Sequence, residues 1–196
     1  LSPLIIIWSR TAVSDSLLCA TLGVSLLSFW RKISSEDDQI CIAPWLFLSF
    51  AILTKGPFVL VIVFATLLTF LLTHKNWKKL LIKINPAKGI FITFLISSPW
   101  YLIQLTSNGK VFWDNFFGYH NLQRYTSVVN NHSEPWWFYL FILILASLPF
   151  SIFLFHGIVE TFRELIIRIE NRSETTNNIY IFSLCWLISI LLFFTI

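Results

Sequence analysis

Long apolar runs, divided by short charged stretches, make up most of this chain. A run of about 20 apolar residues predicts a membrane-spanning helix, because about 20 residues at 1.5 Å rise cross a hydrocarbon core of about 30 Å. Four runs fit. They are Ala12 to Trp30 with Asp15 near its start, Gly89 to Leu105 with Pro99 near its end, Trp136 to His156, and Ile179 to Ile196. Residues 1–9 read as the exit of a preceding span.

The stretch from Ile40 to Thr73 is too long for one span. As a single helix its 34 residues would reach about 51 Å, beyond the core even when tilted. Lys55-Gly56-Pro57 lies in its middle, combining a charge, a residue without Cβ and a residue without an N–H. Proline also disfavours the helical region for the residue before it. The stretch therefore predicts a hairpin of two short helices, 40–54 and 57–73, turning at Lys55.

Loop charges agree with the hairpin. With it, residues 31–38, 74–88 and 157–178 fall on one side and hold ten of the fourteen Lys and Arg residues. Arg10, Lys55, Lys110 and Arg124 remain on the other side. The positive-inside rule makes the ten-residue side cytoplasmic. The lysines between Lys75 and Lys88 then need no role beyond setting topology and meeting anionic headgroups.

Composition settles the broad class. Of 196 residues, 56% are hydrophobic and only 12% charged, with a mean hydropathy of +0.74. A soluble domain carries about 25% charged residues, so a soluble enzyme, a nucleic-acid binder and a disordered tail are excluded. The expected fold is all-α, a polytopic transmembrane helical bundle forming one domain over 1–196. The chain has no Met, opens inside one apolar run (Leu4 to Trp8) and stops inside another (Tyr180 to Ile196). It reads as an internal fragment truncated at both ends. Cys19, Cys41 and Cys185 lie in apolar stretches without CxxC spacing, which argues against disulfides and a metal cluster.

The residues with chemistry gather on the outer, non-cytoplasmic side. Asp15 stands at the outer start of a span and Lys55 at the hairpin tip. The outer loop 106–135 carries His120, Arg124 and His132 among aromatic residues, and its composition suits a segment lying flat on the membrane. Ionisable groups at the edge of a span are costly and tend to mark sites. Each also has a plainer explanation. Asp15 can cap a helix, Lys55 can snorkel, Arg124 can anchor at the interface, and both histidines can be structural. As a set they are more specific. Cations bind phosphate oxygens, an acid can deprotonate a hydroxyl, and histidine can hold a divalent ion. That combination suits a phosphorylated lipid handled at the outer leaflet.

Five motifs occur in order: Arg10-Thr11-Ala12-Val13-Ser14-Asp15, Leu53-Thr54-Lys55-Gly56-Pro57, Ser98-Pro99-Trp100-Tyr101, the stretch from Phe116 to Tyr125, and the stretch from His132 to Tyr139. Leu148-Pro149-Phe150 follows, with Phe in place of the usual Trp. Together they resemble the middle of the ArnT-like membrane glycosyltransferases, kin to the protein O-mannosyltransferases, from about residue 8 to 196. The resemblance implies a GT-C fold and transfer of a sugar from a polyprenyl-phosphate donor to a lipid or protein acceptor. Asp15 matches the family's second acidic position. Lys55 and Arg124 match basic positions, and their charge and location assign them to the donor phosphate. His132 falls on a histidine that contributes to a divalent metal site. His120 matches a family position without an assigned role, and Arg10 opens the first motif as a further candidate for substrate binding. The family's principal catalytic carboxylate and a Glu-Lys-Pro motif would precede residue 1, and a Lys-rich motif would follow residue 196, so this stretch alone is expected to be inactive.

The expectation is an integral protein of the inner or plasma membrane, with its site on the non-cytoplasmic face and no nucleic-acid partner. The rival expectations are a transporter or flippase of lipid-linked saccharides and a non-catalytic binder of them. The transporter predicts charges deep within spans and helices broken near the midplane. Here polar groups collect at one face instead.

Overall fold

A computed structural model describes residues 6–7, 10, 14–35, 42–74, 76–114, 116, 137–171 and 179–195. Among the described residues every regular element is helical. In chain order they are α1 (Ser14–Ser34), α2 (Ala43–Lys55), α3 (Val59–Leu72), α4 (Trp77–Ile84), α5 (Pro86–Phe112), α6 (Phe138–Ala146), α7 (Ser151–Asn171) and α8 (Ile179–Thr195). Two stretches are long and apolar enough to cross a membrane, Ser14–Ser34 and Trp77–Phe112, the second counting α4 with α5. The pair α6 and α7 passes the same test when taken together.

Local chemistry explains the ends of these helices. Asp15 in the first turn of α1 and Arg31 and Lys32 in its last turn both complement the helix dipole. Pro44 opens α2, where a missing N–H costs nothing. α2 stops where the sequence predicts a turn. Gly56 adopts φ 114° and ψ 178°, and its N–H closes the last helical bond to the Ile52 carbonyl at 2.8 Å. That backbone conformation belongs almost wholly to glycine, and Pro57 supplies no further donor. Asn85 in the left-handed region ends α4, and Pro86 starts α5.

α1 lies against α2, and α2 against α5. Phe29 and Trp45 meet edge to face with centroids 4.9 Å apart. The Ser25 hydroxyl donates to the Pro44 carbonyl at 2.8 Å. Trp45 also presses on α5 at Gly89, where any Cβ would collide with the indole. On the other side of the core α3 packs against α8, through Phe70 on Phe182 and Phe58 on Phe193. The short α4 buries Leu80 and Ile84 and exposes Lys78 and Lys79. Lys83 reaches the far end of α1, donating to the carbonyls of Ile33 (3.0 Å) and Ser35.

Three stretches differ from the sequence reading. The run Trp136 to His156 is not one straight helix, because α6 and α7 meet at 115° across residues 147–150. Pro149 offers no N–H and its ring obstructs the preceding turn. Two serines bond carbonyls beside the break: Ser147 Oγ donates to Leu143 O at 2.8 Å, which also accepts the Ser147 N–H, and Ser151 Oγ donates to Ile144 O at 3.1 Å. α7 also runs on to Asn171, through much of the stretch read as a cytoplasmic loop. Finally, α5 extends past Leu105 to Phe112 and is kinked at Gly109.

Candidate active site

Asp15 and Lys55 are 40 positions apart in the sequence, and the fold joins them. The packing of α1 against α2 sets the start of one helix beside the end of the other, and Lys55 Nζ forms an ion pair with Asp15 Oδ1. The side chains remain 32% and 48% exposed, so the pair is open to an incoming ligand. An exposed pair of this kind contributes about 0–1 kcal/mol. Its significance is therefore local charge and geometry rather than stability.

The Lys55 end of α2 is held from several directions. The Ile52 carbonyl accepts the Gly56 N–H and also the Tyr101 hydroxyl of α5, the latter at 3.0 Å. Thr54 Oγ1 donates to the Ala51 carbonyl at 2.6 Å. Tyr101 in turn belongs to an aromatic group. Its ring lies 4.9 Å from Trp100 and 5.8 Å from Phe116, and Phe112 stacks on Phe116 at 5.1 Å. In a straight helix Trp100 and Phe112 would be about 18 Å apart. The kink at Gly109 brings their centroids to 5.9 Å.

An apolar groove of about 1060 Å³ opens between α3 and α5. It begins at Ile52, Pro57 and Tyr101, within a turn of Lys55, passes Val61 and Phe94, and reaches Trp77 on α4. Its volume is at the upper end of the range of about 300–1,000 Å³ seen for ligand sites. The cations of α1 and α4 lie at the opposite end of α1 from Asp15, as the contact of Lys83 with Ile33 and Ser35 requires. Eighteen residues of helix place those ends about 27 Å apart.

Of the other residues singled out in the sequence, Arg10 is exposed on helical backbone. His120, Arg124 and His132 lie outside the described residues. Among the described residues no three His, Cys, Asp or Glu side chains come together. Tyr101 had no role in the sequence reading. Its place in Ser98-Pro99-Trp100-Tyr101 was the available signal, but nothing in that motif shows which carbonyl its hydroxyl reaches.

The chain is 28% identical over 189 residues, 94% of its length, to the undecaprenyl phosphate-alpha-4-amino-4-deoxy-L-arabinose arabinosyl transferase of Erwinia tasmaniensis, covering 32% of that protein. It is 27% identical over 189 residues to the transferase of the same name from Enterobacter sp. (strain 638), again covering 94% of the chain and 32% of the relative. A Pseudomonas aeruginosa relative of that name is 28% identical over 134 residues, 66% of the chain and 24% of the relative. The chain thus spans a quarter to a third of the length of the curated relatives it matches. No family model matches it, and no solved structure matches it. By motifs and over most of its length, the chain is similar to one segment of these arabinosyl transferases.

Proposed function

We propose that this chain forms part of a membrane glycosyltransferase that draws a sugar from a polyprenyl-phosphate donor, with Asp15 and Lys55 in its site. The observation that carries the reading is the Asp15–Lys55 ion pair, with Ile52 and Pro57, close to Lys55 in the chain, lining an apolar groove. A polyprenyl phosphate is an isoprenoid chain ending in a phosphate. The groove matches the first part and the ammonium of Lys55 matches the second. The names of the curated relatives support the same donor class.

In this reading the phosphate takes up Lys55 and loosens its hold on Asp15. The acceptor hydroxyl or amine then attacks the anomeric carbon, the bond from that carbon to the phosphate oxygen breaks, and the polyprenyl phosphate leaves. Lys55 stabilises the charge that grows on the leaving oxygen. Asp15 orients the acceptor, and a carboxylate receives its proton. The acceptor is a lipid or a protein. The site faces the non-cytoplasmic side of the inner membrane, a placement supported by the cation-rich ends about 27 Å away on the other side.

The test is sugar transfer from a polyprenyl-phospho-sugar in membranes containing the whole protein. Asp15→Asn should abolish transfer while membrane insertion stays normal, and Lys55→Gln should raise KM for the donor. Wild-type turnover in Asp15→Asn overturns the assignment. If that variant still moves lipid-linked saccharide across a bilayer and no transfer is found in the wild type, the transporter reading takes its place.

A further inference from the structure

We infer that Tyr101 is a positioning residue for Lys55, and that its ring ties the lysine's helix end to the aromatic group of Trp100, Phe112 and Phe116. The inference rests on the proposed role of Lys55 at the donor phosphate. Lys55 is the last residue of α2, and a lysine on a helix end ordinarily frays with it. Here the end is fixed at one carbonyl. Ile52 O accepts the Gly56 N–H at 2.8 Å and the Tyr101 hydroxyl at 3.0 Å, using both lone pairs of the oxygen. Lys55 lies within the turn that this carbonyl closes. Tyr101 comes from a different helix, so its hydroxyl fixes α2 relative to α5 at the point where the ammonium must meet its ligand.

The ring of Tyr101 carries the second half of the inference. It contacts Trp100 and Phe116, and Phe112 stacks on Phe116. A displacement of that aromatic group therefore acts on the Tyr101 ring, and through the hydroxyl on the end of α2. Misplacement of a charged group by a fraction of a hydrogen-bond length is enough to weaken binding of a phosphate.

Tyr101→Phe removes the hydroxyl and keeps the ring. In the whole protein in lipid nanodiscs, affinity for undecaprenyl phosphate should fall about three- to tenfold, the range expected for one lost hydrogen bond. In a Lys55→Gln background the same change should have no further effect. A loss of equal size in both backgrounds, or no loss in either, overturns the inference. Reactivity of Lys55 toward an amine-directed reagent, read by mass spectrometry, gives a measure that needs no ligand, and it should rise in Tyr101→Phe. If it rises while Lys55→Gln binds undecaprenyl phosphate normally, the positioning role stands and the phosphate assignment fails. Unchanged reactivity overturns the positioning role itself.

Discussion

Asp15, at the start of α1, and Lys55, at the end of α2, form an ion pair across the antiparallel contact of their helices. Both side chains stay partly exposed, so the pair should matter far more to function than to folding. Asp15→Asn should change stability by no more than about 2 kcal/mol, the sum of a weak exposed pair and a modest helix-dipole term. Thermal unfolding in detergent checks this beside the transfer assay. A collapse in melting temperature would mean that the carboxylate is structural.

Gly56 sits in a backbone region that other residues avoid. Gly56→Ala should cost about 1–3 kcal/mol or else shift the end of α2, and either outcome moves Lys55. The expected result is weaker binding of undecaprenyl phosphate together with a lower melting temperature. An alanine variant that binds and melts as the wild type would show that the turn is not needed in this form.

Gly89 is required by close approach, since a Cβ there would enter the Trp45 ring. Overpacking of a tight contact costs about 1–3 kcal/mol, so Gly89→Ala should lower the melting temperature. Trp45→Phe in the same chain should recover part of the loss by making room. Failure of the second change to help would place the strain elsewhere.

Lys83 ties α4 to the end of α1 through the Ile33 and Ser35 carbonyls. Lys83→Met keeps the aliphatic stem and loses both bonds, at an expected cost of about 1–3 kcal/mol. Because these bonds lie about 27 Å along α1 from Asp15, affinity for undecaprenyl phosphate should not change. A parallel loss of affinity would show that the two ends are coupled.

Hydropathy and punctuation made several elements legible. The break at Lys55-Gly56-Pro57 was readable because a glycine and a proline there leave the backbone little choice. The same reasoning holds for Pro149, but the sequence reading takes Trp136 to His156 as one span. A hydropathy run records what a segment can be buried in, not its direction, so it is blind to a 115° bend. The candidate site was legible one residue at a time. Asp15 and Lys55 stood out because charges at span edges are costly, whereas Tyr101 stood only within Ser98-Pro99-Trp100-Tyr101, which does not show what its hydroxyl reaches.

By itself the sequence determined the all-helical membrane class, the helix break at Lys55-Gly56-Pro57 and the identity of the charged residues worth testing. These follow from local quantities: transfer free energy summed along a run, and the φ/ψ limits of glycine and proline. Tertiary structure alone decided that Asp15 meets Lys55, that Tyr101 shares a carbonyl with Gly56, and that Gly89 yields to Trp45. Each of those depends on the rotation and offset of one helix against another. Side-chain packing sets those values, and an apolar run of nearly uniform hydropathy does not encode them.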